Sequence, residues 1–409
     1  MKLYVRLACL LAFFVTAAPL AAQGRASKLD KQLQRGCTGT RSVIIRTKPG
    51  FRESLRNSLN AQGRFVTGEF PALDAVTVEV PCSDLAVLAR FGGTDSISDN
   101  ASVNAHALTP STKSITGTTT SLTARLNEAA NARLLQQANL FSTLAVKPPL
   151  PGTTSTAPTI GVAVIDSGIQ PGIDFGPRIT ASYDFTLGRI RAVAPSDSYG
   201  HGTHVAGVIA GSYVGVAPTA RLISLKVLDG EGKGTTDNVV RAIEFAIANK
   251  SVLNIHVLNL SLGHPIYESA ATDPLVQAVE HATRSGLVVV VSAGNFGQNP
   301  QTGQVGYAGI ASPGNAPSAF SVGTVRTFNT VTRDDDRVAA YSSRGPSWYD
   351  GFVKPDFLAP GDNLLSVAAL GSNLRIVQER RGNTGNYMRL SGTSMAAGVA
   401  SGMVAVVLQ

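Results

Sequence analysis

From Thr159 onward the chain alternates short, uninterrupted apolar runs with stretches of helical spacing, and this rhythm limits the folds open to it. In "IGVAVID", "RLISLKVL", "VLNLSLG", "LVVVVSAGN" and "AFSVGTV" apolar residues crowd together, so neither face of such a strand can be left to water. Between them stand "GTHVAGVIAG", "TDNVVRAIEFAIAN" and "PLVQAVEHATRSG". Continuous apolar strands separated by helices predict an α/β domain whose mostly parallel sheet is covered on both faces. Functional side chains are then expected just past the strand C-termini.

Residues 37–108 follow a different order: strand, helix, strand, strand, helix, strand. "RSVIIRT" is β-branched and apolar, and "FRESLRNSLNA" spaces Phe51, Leu55 and Leu59 as a helix does. "DAVTVEV" alternates Ala75, Thr77 and Glu79 with Val76, Val78 and Val80, "SDLAVLARF" reads as a short helix, and "SISDNASVNAHAL" as the last strand. This order predicts a small ferredoxin-like α+β domain with its first and third strands antiparallel neighbours. Cys37 and Cys82 then fall side by side, and a disulfide between them is expected if the chain is exported. Export is what the N-terminus suggests: Lys2 and Arg6, an apolar run and small residues ending near Ala22 are the parts of a secretory signal, residues 1–22. No other stretch is expected to enter a membrane. Residues 109–158, rich in Ser, Thr and Pro around one helical stretch, read as a linker. The formal net charge of +8 lies mostly in residues 1–108, and the remainder shows no basic stripe with interleaved aromatics, so nucleic-acid binding is not expected.

Single residues then stand out at strand ends. Asp166 closes "GVAVID", Asn295 follows the most apolar strand in "VVVVSAGN", and Ser394 lies in "SGTSMAAG" where an Ala-rich helix begins. In "YGHGTHVAG", His201 and His204 stand three apart, a spacing open to a catalytic base, a metal pair or helix packing. Taken singly, each residue fits a turn or a cap. Jointly they supply a hydroxyl nucleophile, an imidazole to take its proton, a carboxylate to orient the imidazole, and an amide to stabilise an oxyanion.

The strings "AVIDSGI", "HGTHVAG", "SAGN" and "GTSMA", with "SSRGP" and "KPDFLAPG", resemble the subtilisin-like serine proteases in content and order. The resemblance covers 159–409 and, more loosely, 37–108 as an inhibitory propeptide. It implies a three-layer α/β fold and a secreted, self-processing serine endopeptidase acting on proteins or peptides. Asp166, His201 and Ser394 would be the triad, Asn295 the oxyanion donor, and His204 a packing residue. His256, His264 and His281 sit in no matching motif. Substrate would lie as a strand between Glu231, Gly232, Lys233 and Gly234 on one side and Ser261, Leu262 and Gly263 on the other, with Ala311 at the floor of the primary pocket. Self-cleavage is expected between Leu108 and Thr109.

Three features depart from the family's pattern. Gly398 replaces a usual proline, which is expected to loosen the turn behind the nucleophile. "GVIAGSYVGVAP" lacks the insertion that builds a strong calcium site in relatives, so that site is not expected; structural calcium elsewhere stays open with no ligands named, and Asp334, Asp335 and Asp336 read as solvated charge. No cofactor is needed for the chemistry. Relatives continue with more helical structure beyond Gln409, so the catalytic domain is expected to be C-terminally incomplete. The alternative function is a catalytically silent protein acting as a binding or inhibitor module. A serine esterase is disfavoured by the triad order and the missing G-x-S-x-G elbow.

Overall fold

The structure is a computed structural model that describes residues 27–105, 136, 139–142, 144, 159–328, 330, 332–380 and 385–409. The expected signal peptide lies outside the described residues, as does most of the expected linker.

The N-terminal module runs α1 (Lys31–Gln34), β1 (Thr40–Thr47), α2 (Arg52–Ala61), β2 (Val66–Phe70), β3 (Ala75–Pro81), α3 (Leu85–Arg90) and β4 (Thr94–Asp99). Its sheet has the order β2-β3-β1-β4 with every neighbour antiparallel. Strand alternation assigns the two faces. Val43, Ile45, Val76, Val78 and Val80 pack with Leu55, Leu59, Leu85, Leu88 and Ile97 into the module's own core. Residues of the other parity, Ile44 and Ala75, join Phe70 and Leu73 in a cluster shared with the larger domain. Each large side chain fully buried there contributes about 1.5–3 kcal/mol. The sheet therefore holds the module together with one face and docks it with the other. Cys37 and Cys82 are joined as a disulfide, Cα–Cα 5.5 Å, beside the open end of β1 and β3.

The final strand expected from the sequence is divided. Asp99 ends β4, Asn100 donates to the Asp237 carboxylate (2.9 Å) and accepts from the Asp237 N–H (2.9 Å), and β5 (Ser102–Ala105) leaves the module's sheet for the larger domain. The alternating pattern runs on through Val103. What breaks the strand is a pair of non-local hydrogen bonds, which periodicity does not carry.

The larger domain contains β6 (Gly161–Asp166), β7 (Ile179–Asp184), β8 (Arg191–Ala192), α4 (His201–Ala210), β9 (Arg221–Lys226), β10 (Lys233–Thr235), α5 (Thr236–Asn249), β11 (Ile255–Leu260), β12 (Leu262–Pro265), α6 (Pro274–Arg284) and β13 (Val288–Ser292). It continues with β14 (Ala311–Ser312), β15 (Phe320–Arg326), β16 (Arg337–Val338), β17 (Phe357–Pro360), β18 (Leu364–Val367), α7 (Asn373–Glu379), β19 (Tyr387–Leu390) and α8 (Thr393–Leu408). The central sheet has the order β16-β15-β13-β11-β6-β9-β7-β8, with β17 beside β15. All of its pairings are parallel except those of the short edge strands β8 and β16.

Both faces are covered, which is why the strands carry no polar alternation. Ala163, Ile165, Ile223, Leu225, Leu258 and Leu260 pack with α5 and α6. Val162, Val164, Leu222 and Val257 pack with α4 and α8. From β6 the sheet extends both ways, through β9 and β7 and through β11 and β13, so β6 sits where the strand order reverses. A crevice at the strand C-termini is expected there. Among the described residues no helix is long and apolar enough to cross a membrane. Within 109–158, Gln136 exchanges two hydrogen bonds of 2.7 Å with the Leu365 backbone, and Leu140 is buried beside α4 and α8.

Gly398 is the sixth residue of α8 rather than part of its first turn. A Cβ there would meet the Val208 side chain at 3.3 Å, so the glycine lets α8 pack closely on α4. The expected loosening of the turn is not where this glycine acts.

Candidate active site

The C-terminal end of β6 delivers Asp166 to a fully buried position. After β7 and β8, 35 residues further along the chain, α4 begins with His201, also fully buried. Their close approach requires glycine at 202, where a Cβ would lie 2.2 Å from the Gly168 carbonyl and 3.1 Å from the Asp166 Cβ. His201 Nδ1 lies 2.8 and 2.9 Å from the two Asp166 carboxylate oxygens. A carboxylate only accepts, so Nδ1 carries the proton and Nε2 is left with its lone pair. That Nε2 is buried and makes no hydrogen bond among the described residues.

Ser394 is the second residue of α8 and fully buried. Its hydroxyl donates to the Ser261 carbonyl at 3.0 Å, and the Ser261 hydroxyl donates back to the Ser394 carbonyl at 3.1 Å. The nucleophile candidate is thereby tied to the end of β11. Its backbone N–H belongs to the first helical turn, whose donors have no acceptor inside the helix.

Asn295 follows β13. Its Oδ1 accepts from the Thr393 N–H at 3.0 Å and the Thr393 hydroxyl at 3.1 Å. A backbone N–H can only donate, which fixes the amide so that Nδ2, its donor end, points away from Thr393. Thr393 also accepts from the Gly294 N–H at 3.1 Å. Sequence reasoning missed this residue as the clamp on Asn295, although it stands next to Ser394 in "GTSMA".

His204 is a packing residue. Its Nε2 lies 3.2 and 3.1 Å from the Leu364 and Met388 carbonyls, and burial, helped by His201, pushes its pKa down to about 3. It stays neutral. His256 Nδ1 accepts from the Gly161 N–H, His264 stacks on Tyr267, and His281 bonds Glu244. Among the described residues no group of three or more His, Cys, Asp or Glu is placed to hold a metal ion. In the acidic triplet Asp335 accepts from the Thr330 hydroxyl and Asp336 pairs with Arg333.

The two glycine-bearing segments flank β5. Lys233, Gly234 and Thr235 pair with Asn104, Val103 and Ser102, and on the other side Leu262 and Gly263 pair with Ala105 and Asn104, all antiparallel. The Ala105 N–H donates to the Gly232 carbonyl at 3.1 Å. Gly232 (φ 77°) has no room for a side chain, since a Cβ would lie 2.4 Å from the Tyr199 ring. Leu262 offers only its backbone, its side chain being buried in the core, and Glu231 turns outward to Lys233. Ala311 is buried, its N–H donating to the Ala293 carbonyl at 2.9 Å, close to Gly294. Leu108 and Thr109 lie outside the described residues.

A family model described as the subtilase family matches residues 158–409. The chain is a subtilase. This subtilase is 39% identical over 270 residues to serine protease AprX of Bacillus subtilis, a match covering 63% of this chain and 59% of that protein. It is 34% identical to subtilisin E of the same species over 267 residues, covering 62% of this chain and 56% of the relative. The chain therefore spans less than two thirds of the length of these relatives. Fervidolysin from Fervidobacterium pennivorans, described as a keratinolytic enzyme related to subtilisin, shares the fold with a TM-score of 0.65 at 23% identity. That likeness covers 93% of this chain and 56% of that structure.

Proposed function

We propose that this subtilase is a secreted serine endopeptidase that cleaves its own N-terminal module from the catalytic domain. The Asp166–His201 pair carries the reading: a buried carboxylate holding Nδ1–H leaves Nε2 as a base at the start of α4, a helix that packs on α8. In the proposed mechanism the Ser394 hydroxyl turns from the Ser261 carbonyl toward Nε2 and attacks a peptide carbonyl, and His201 takes its proton. Asp166 then stabilises the imidazolium, and the Asn295 amide with the Ser394 N–H binds the tetrahedral oxyanion. His201 returns the proton to the leaving amine. Water repeats the sequence on the acyl-enzyme.

The same geometry supports an inhibitory role for residues 37–108. β5 lies between β10 and β12 as a bound substrate strand would, and it runs toward Ser261, the residue that holds the Ser394 hydroxyl. Cleavage is proposed at Leu108–Thr109. A mature chain starting at Ala107 would mean instead that the register pairing Leu262 with Ala105 continues one residue further and sets position 106 opposite Ser261.

A second reading, a silent binding module, draws on the Ser394 hydroxyl's engagement with Ser261 instead of His201. Intact mass, N-terminal sequencing and labelling by a fluorophosphonate, for the wild type beside Ser394→Ala, separate the two. Cutting and labelling in the wild type alone support the protease. Neither event in folded wild-type protein leaves the silent module.

A further inference from the structure

The chemistry proposed above uses one buried carboxylate, Asp166. A second, Asp197, is 3% exposed, lies in the loop before α4, and has no place in the reaction sequence. Its partners come from both sides of the triad. Oδ1 accepts from the Ser167 hydroxyl (2.9 Å), the Gly200 N–H (2.7 Å) and the Tyr199 N–H (3.2 Å). Oδ2 accepts from the Thr203 N–H (2.9 Å) and the Thr203 hydroxyl (2.7 Å).

The direction of every bond is fixed. The Ser167 oxygen accepts from the Gly202 N–H at 2.9 Å and the Thr203 oxygen from the Gln170 N–H at 3.0 Å, so both hydroxyls give their protons to Asp197. Three of the five are backbone N–H groups, at least one on each carboxylate oxygen, which can only donate, so the ionised carboxylate is the form that all five fit. Burial pushes the carboxyl above its ordinary value while these same donors pull against it. A carboxylate at the start of α4 also meets the positive end of the helix.

Ser167 is the residue after Asp166, and Gly200 to Thr203 bracket His201. We propose that Asp197 is a positioning residue: it ties the strand end carrying Asp166 to the helix start carrying His201, and so sets the geometry of that pair without touching substrate. This rests on the serine-protease reading for its consequence in turnover, though the geometric part stands on the hydrogen bonds alone. Packing around the tie is tight. A Cβ on Gly168 would lie 2.1 Å from the Ser196 carbonyl, so the loop after Asp166 and the loop carrying Asp197 pass in direct backbone contact.

Asp197→Asn tests this. Asparagine keeps the volume, but its NH₂ must face backbone N–H donors, either that of Thr203 or those of Tyr199 and Gly200, so the bonds that hold the strand end and the helix start cannot all be kept. Peptide hydrolysis is expected to show kcat reduced about 10²-fold with KM nearly unchanged, the loss that follows from misplacing a reacting group by about 1 Å. A general loss of fold would instead lower the active fraction and leave the surviving sites normal. A second readout separates the two: the Nδ1 proton shared by His201 and Asp166, followed by proton NMR in the Ser394→Ala background. It is expected to shift on adding Asp197→Asn. Unchanged kcat and an unchanged resonance would overturn the proposal. Should wild type prove inactive toward peptides and probe, the protease reading falls while the resonance still decides the positioning role. If Asp197→Asn does not fold, Ser167→Ala removes only the bridge to Asp166. An intermediate fall in kcat with a shifted resonance then supports the proposal, and no change in either refutes it.

Discussion

Between the N-terminal module and the catalytic domain lies a group of carboxylates, and their protonation is expected to set how firmly the two hold together. Asp30 is buried on the module side, accepting from the Leu33 and Asp99 N–H groups at 2.7 and 2.5 Å. Asp273 is buried on the other side as the N-cap of α6, accepting from Leu275 at 2.9 Å. Glu268 lies between them without an ion pair, and burial, then the Asp273 charge, with Asp30 adding to it, pushes its carboxyl up to about 8 from an ordinary 4.5. Burial raises Asp30 and Asp99 too. Lys28 and Lys31 line the same cavity as Asp30 and Glu268, donating to the Thr94 carbonyl at 2.6 Å and the Gln34 side chain at 2.9 Å, while Arg41 and His264 act on Asp99 and Arg35 on Tyr267 and Tyr349.

The sign follows from proton counts. Between the two Glu268 values the docked state holds a proton that the undocked state has lost, so docking weakens as pH rises through this window and levels off above its upper end. One proton gives a slope of about 1.4 kcal/mol per pH unit, and the full window caps the effect at about 5 kcal/mol. The assay is hydrogen exchange in a peptide covering β4 and β5 of the uncut Ser394→Ala protein, corrected for intrinsic rates, at pH 5.5 and 7.5. Protection is expected to fall over that range, and to fall less steeply by up to tenfold per pH unit in Glu268→Gln. Equal slopes in the two proteins, or protection rising with pH, would refute the reasoning.

Asn295→Ala should lower kcat by about 10²- to 10³-fold with little change in KM, a magnitude taken from the corresponding donor of a subtilisin and checked by steady-state peptide hydrolysis. Gly202→Ala gains about 1 kcal/mol of helix propensity, yet its Cβ meets a backbone carbonyl at 2.2 Å. Turnover should therefore fall at least about 10²-fold, readable in the same assay. Replacing Cys37 and Cys82 by serine opens a loop with a sequence separation of 45 and should destabilise the module by up to about 4 kcal/mol, measured as earlier urea unfolding of β1 and β3 in the Ser394→Ala protein.

The layered architecture was legible because burial on both faces of β6, β11 and β13 writes itself as unbroken apolar runs. The places of Asp166 and Asn295 were legible for a related reason, since a polar residue closing an apolar run marks a strand end; Ser394 follows no such run and was singled out by "GTSMA" at the start of an Ala-rich stretch. Asp197 was not, because "PSDSYG" reads as an ordinary polar loop, and its burial depends on Ser167 and Thr203, far from it in the chain or outside the loop's own pattern. The departure of β5 was hidden similarly, since Val103 keeps the strand's alternation while its partners change from the module's sheet to β10 and β12. Local periodicity records which face is apolar and is silent about whose core receives it.

The Ala105 N–H is one of the groups by which β5 is held, through the Gly232 carbonyl. A polypeptide that replaces β5 in the same register keeps this bond only if it presents a hydrogen at that position, and proline has none. Its ring would also be pressed toward a backbone carbonyl whose own glycine is pinned beneath the Tyr199 ring. If substrate takes the place of β5 as proposed, the cleft carries a filter written in main-chain atoms: a sequence with proline at the Ala105 position forfeits this bond and is bound less well, whatever side chains it offers elsewhere.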